Sequence, residues 1–75
     1  MDIFKFEGMS NGEAIVRHLG EGHVFRFKPG KHGDWNAPAL SRAEKGESSH
    51  GEPDQHAHAA FVYVRDHVRG WLEEK

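Results

Sequence analysis

The sequence contains no cysteine. That excludes disulfides and every zinc site built on thiolates. No apolar run approaches the roughly 20 residues of a bilayer span. Met1-Asp2 opens on an acid and no apolar segment follows, so no secretory signal is read there. A soluble, cytoplasmic protein with no membrane partner is expected. An excess of either charge is lacking too. Ten Lys and Arg stand against twelve Asp and Glu, for a formal charge of −2. A dedicated duplex-DNA binder usually shows a basic patch or a high isoelectric point. An acidic nucleic-acid mimic would show a long acidic run, and none is present.

Catalytic signatures are missing as well. The chain has no nucleophile elbow, phosphate loop or dinucleotide fingerprint. Seventy-five residues make a single small domain, with little room for a substrate pocket of a few hundred Å³. No catalytic residue is assigned, and a non-enzyme is expected. A core of this size rarely supplies more than about 3–5 kcal/mol. Without disulfides, the remaining supports are a histidine and carboxylate metal site or a homodimer; otherwise the fold stays marginal.

The strongest positive signal is the C-terminal stretch. Ala57, Ala60, Phe61, Val64, Val68, Trp71 and Leu72 fall within an arc of about 120° at helical periodicity. The spacing predicts an amphipathic helix over 54–74. Pro53 suits its first turn, and Glu52 or Asp54 can accept from the free amides there. One flank of the stripe carries His56, Tyr63, His67 and Glu74. The other carries His58, Arg65 and Arg69, with Val62 beside them.

Two short strands are legible upstream, over 2–8 and 23–28. Phe4 and Phe6 alternate with Lys5 and Glu7, and Phe25 and Phe27 alternate with Arg26 and Lys28. The four phenyl rings would form one face, on which the helix stripe would sit. Residues 9–20 admit two readings. Ser10 and Glu13 have capping-box spacing, with Ile15 and Leu19 at i, i+4 and Gly20 as C-cap. Alternatively, Asn11-Gly12 is a type I′ turn leading into a strand over 13–19. Poor alternation, with Arg17 on the face of Ile15 and Leu19, tips the reading to a short helix.

Residues 28–53 form a long polar loop, expected to lack fixed structure in part. A helical turn is expected near Ala37–Lys45, with Ala39, Leu40 and Ala43 inward. Trp35 and Leu40 are the loop's large apolar side chains. The predicted fold is α+β: a small antiparallel sheet of two or three strands packed on a C-terminal helix.

Seven histidines stand out in so short a chain. Neutral imidazole is a common metal ligand, and His50, His56 and His58 form the densest group. Their geometry is poor for zinc. His56 and His58, two apart on a helix, point about 160° away from each other, whereas paired ligands want i, i+4. His56 and His67 share a side but lie about 16 Å apart along the axis. The Phe-Lys-Phe and Phe-Arg-Phe strands raise a second idea, stacking of single-stranded nucleic acid on a sheet. Here the helix needs the aromatic face, and the ribonucleoprotein pattern is absent.

By elimination, the expected function is non-catalytic binding of a protein partner. Accessory and inhibitory proteins of phages and mobile elements, such as anti-CRISPR inhibitors, are often of this size. Trp35, Tyr63, Arg65, His67 and Arg69 are the candidate contact residues, because aromatic and Arg side chains dominate interfaces.

Overall fold

A computed structural model describes residues 3–47 and 51–73. Four strands, β1 (Phe4–Ser10), β2 (Glu13–His18), β3 (Val24–Lys28) and β4 (Ala39–Glu44), precede one helix, α1 (Asp54–Glu73). Each strand pairs antiparallel with the next, in the order β1-β2-β3-β4. The α+β architecture is as expected, with four strands rather than two or three.

The extra strands correct two expectations. Residues 9–20 do not form a short helix. Asn11 and Gly12 both take positive φ, 53° and 80°, the backbone of a two-residue type I′ turn. Ser10 faces Glu13 across it, so the chain reverses into a strand. Ala14, Val16 and His18 point inward and are buried, whereas Leu19 is 52% exposed. The helical pairing of Ile15 with Leu19 therefore had no core to face. A bulge between Phe6 and Gly8 lets β1 keep its register with β2; Gly8 has φ 125°, which side chains strongly disfavour.

The second correction is β4. Residues 39–44 are a strand, not a helical turn, and Ala43 stands opposite Phe25. Leu40, expected inward, is 40% exposed. β3 offers a row of backbone donors and acceptors at the sheet edge, and 39–44 satisfies them where a helical turn could not. The long loop is thereby divided. Its first part, 29–38, contains a 3-10 turn at Lys31–Gly33 and tucks Trp35 against the core.

α1 lies across one face of the sheet. Ala60, Val64 and Val68 meet Ala14, Val16, Phe25 and Phe27 in the buried core. Phe25 and Phe27 are essentially inaccessible, each contributing about 2–3 kcal/mol of burial. Phe4, Phe6, Ala57, Phe61 and Trp71 pack around the rim, so the phenyl face is the seat of the helix. Leu72, at the edge of the stripe, stays 41% exposed. The helix is not long and apolar enough to cross a membrane.

Candidate functional site

Because side chains alternate along a strand, burying the Phe face turns the charged positions of all four strands to the other side. Lys5, Glu7, Glu13, Ile15, Arg17, Val24, Arg26, Lys28, Arg42 and Glu44 form that second face. Among the described residues no element covers it. Five cations and three carboxylates leave it net positive, although the whole chain is net negative.

Two carboxylates organise these cations. Glu7 pairs with Arg17 at 3.0 Å and with Lys5 at 4.0 Å. Glu44 is shared by Arg42 at 3.4 Å and Arg26 at 3.7 Å, through the same Oε1. Arg26 and Arg42 stand directly opposite each other in the register. Like charges at such a position repel, so one carboxylate holds two guanidiniums together. Arg26 Nε is shielded from solvent and has no hydrogen-bond partner among the described residues. At one end of this face a pocket of about 660 Å³ opens between Arg17, Glu21, Val24, Glu44, Lys45 and Glu47.

Behind the pocket lie three histidines. His18 closes β2 and His23 precedes β3; both are buried, at 5% and 0% exposure. His56, on the first turn of α1, stacks on His18 with ring centroids 4.1 Å apart and lies 5.6 Å from His23. Buried polar groups need partners, and each buried ring finds one on a loop backbone. His18 Nδ1 accepts from the Glu21 amide at 2.9 Å. His23 Nδ1 accepts from the Gly46 amide at 2.9 Å. Burial, foremost, pushes the His23 pKa below 6.5; Glu21 opposes this, and His56, His18 and Lys45 add to it.

Among the described residues, the proposed zinc ligands His56 and His58 are not part of any group arranged for a metal ion. His50 lies outside the described residues. His56 joins His18 and His23, while His58 is exposed and lies over Phe61, ring centroids 6.3 Å apart. No group of three potential ligands among the described residues is arranged for a metal ion. The chemistry of the buried rings agrees. A histidine that binds metal through Nε2 carries its proton on Nδ1, where His18 and His23 each accept an amide hydrogen instead.

The candidate contact residues have varied placements. Trp35 and Tyr63 are half-buried and packed on the core. Tyr63 leans on Phe4, His67 and Trp71 at 5.5, 4.4 and 5.7 Å between ring centroids. His67 is exposed and donates from Nδ1 to the Tyr63 carbonyl at 2.8 Å. Arg69 donates to Asn36 Oδ1 at 2.8 Å, tying α1 to the loop that carries Trp35. Arg65 is exposed, 3.3 Å from Asp66 and 5.6 Å from the centroid of Phe61. Sequence reasoning passed over Arg17, Arg42, His18 and His23. For Arg17, His18 and Arg42 the signal is the alternation of β2 and β4, which a helical reading erases; His23 falls on the period-two face of Phe25 and Phe27, just ahead of β3.

Comparison with known proteins gives no relative: no protein-family model, curated protein or solved structure matches the chain.

Proposed function

We propose that the chain is a non-catalytic binding domain that engages a protein partner through the uncovered face of its sheet. The observation that carries this reading is the Arg26–Arg42 pair, two guanidiniums side by side on an open sheet with one carboxylate between them. Arg is the cation most enriched at protein interfaces, and its planar fork matches a carboxylate with two parallel hydrogen bonds. Ile15 and Val24, half-buried between the charged rows, supply a small apolar centre. The partner chemistry that fits is a protein surface rich in Asp and Glu. An accessory or inhibitory subunit is the corresponding role.

Single-stranded nucleic acid fits less well. Base stacking needs exposed rings, and none of the residues on this face is aromatic. Glu7 and Glu44 would also stand against phosphates. The two helix flanks, Tyr63 and His67 on one side and Arg65 and Arg69 on the other, are the competing protein-binding surfaces, though Tyr63 and Arg69 are already engaged within the molecule.

The test is capture of a partner from the native host by the tagged chain, with cross-links mapped by mass spectrometry. An R26E/R42E variant is expected to lose the captured protein while circular dichroism shows an intact fold. An R65E variant is expected to retain it. Equal capture by R26E/R42E would end the reading.

A further inference from the structure

A neutral imidazole has one N–H and one lone pair; a protonated one has two N–H groups and no lone pair. A ring whose Nδ1 accepts a backbone amide therefore cannot keep that bond once it gains a proton. His18 and His23 both hold backbone amides in this way, and they hold different loops. The Glu21 amide on His18 belongs to the β2–β3 connection. The Gly46 amide on His23 belongs to the segment after β4.

The two loops touch. Within the first loop, the Gly22 amide bonds to the His18 carbonyl at 2.7 Å. A Cβ placed on Gly46 would run into the Glu21 carbonyl oxygen and the backbone of Gly22. The two segments are thus in backbone contact, and each gives one amide to a buried ring nitrogen; the first is also closed by backbone bonds from His18 to the His23 carbonyl and from Leu19 to the Ile3 carbonyl, both at 2.8 Å. Together they supply Glu21, Gly22, Lys45, Gly46 and Glu47 to the wall of the pocket.

We propose that His18 and His23 form a proton-sensitive latch: neutral rings help hold loops 19–22 and 45–47 together at the pocket wall, and a proton on either Nδ1 releases the amide that ring holds and loosens the contact between the loops. A charged His18 or His23 would face two imidazoles at 4.1 to 6.4 Å. Lys45, itself 3.8 Å from Glu52, opposes a charge on His23, and Glu21 favours one. Release of the loops sends the new N–H groups to water. The latch does not depend on what binds the open face.

Amide hydrogen exchange followed by NMR tests this in the full chain between about pH 7.5 and about pH 5, the range in which histidine titrates. After correction for intrinsic rates, exchange of the Glu21 and Gly46 amides is expected to accelerate as pH falls. The rise approaches about tenfold per pH unit where the open loop binds one proton more than the closed one. The Val16 and Phe25 amides, in the centre of the sheet, are expected to change much less. H23N places a side-chain oxygen near the Nδ1 position without a titrating group, so it should remove the pH dependence at Gly46 and leave that at Glu21. Corrected rates at Glu21 and Gly46 that stay flat across the range in the unaltered protein would overturn the latch. So would acceleration equal to that of Val16 and Phe25, which would signify global unfolding instead.

Discussion

The indole of Trp71 lies flat on the phenyl ring of Phe6, with ring centroids 3.9 Å apart and planes 6° apart. This contact joins the last turns of α1 to the edge strand β1. Gly70 precedes it, and glycine inside a helix costs about 1 kcal/mol relative to alanine. The stack holds down a segment whose own backbone is weak. W71A is expected to destabilise the domain by about 1–3 kcal/mol, below the full value for a buried aromatic because Trp71 is only half-buried. Urea unfolding measures the loss. A double-mutant cycle with F6A should show coupling of about 0.5–1.5 kcal/mol, and no coupling would show that the stack contributes only its separate burial.

Stability should also depend on pH through His23. Burial is the main cause of its lowered pKa. Below the unfolded value, 6.5, the unfolded chain binds a proton that the folded chain resists. Stability is therefore present above that value and is lost as pH falls from there toward the folded pKa. Urea midpoints should drop between about pH 7.5 and about pH 5, and H23N should flatten the drop. The readout is global unfolding, and so differs from local loop release.

The sequence legibly announced the parts that alternate in plain chemical terms. Phe and Lys or Arg trade places in β1 and β3, and the stripe of α1 repeats at helical spacing, so the Phe face and its helix could be paired before any coordinates. β2 could not be read in the same way. Its inner face is Ala14, Val16 and His18, and a buried histidine breaks an apolar pattern. His18 is accommodated inside with the help of the Glu21 amide and of the His56 and Phe4 rings, partners that come together only after the hairpin has closed. The signal of β4 is weaker still, since Ala39, Ala43 and the exposed Leu40 mimic a helical turn. Without β4, Arg26 has no Arg42 beside it, and the open face is invisible. Residue type alone does not separate contact from packing: Trp35 and Tyr63, contact candidates by type, are both half-buried and packed on the core.

Gly46 is fixed by contact rather than by dihedral strain. Its missing Cβ is what allows the backbone of Glu21 and Gly22 to approach. G46A is expected to push the two loops apart and to destabilise by about 1–3 kcal/mol, the usual range for overpacking. Gly33 provides the control for conformation. It has open space around it but φ 75°, so G33A should cost only the left-handed backbone penalty of about 1–2 kcal/mol and leave the pocket unchanged. Thermal unfolding compares the two, and NMR shifts of the Glu21 and Gly46 amides, or of residue 46 in the variant, distinguish them. An unchanged amide spectrum in G46A would remove the close crossing as a constraint.

Under the proposed docking role, Arg26 sets stability against binding. Its Nε is desolvated without a hydrogen bond, its carboxylate is 3.7 Å away and shared, and Arg42 repels it from the neighbouring strand. Replacing a poorly compensated charge by an apolar side chain of similar length is often neutral or stabilising. R26M is therefore expected to leave the melting temperature unchanged or raise it, because an aliphatic stem opposite Ile15 is kept while the repulsion disappears. Were Arg26 retained for packing or pairing alone, R26M would instead destabilise. If Arg26 serves the docking face, the same variant should bind the acidic partner more weakly while folding at least as well, a trade often met where a site holds strain for function. Loss of stability with undiminished binding is the opposite result, and it would leave Arg26 a structural residue of the sheet.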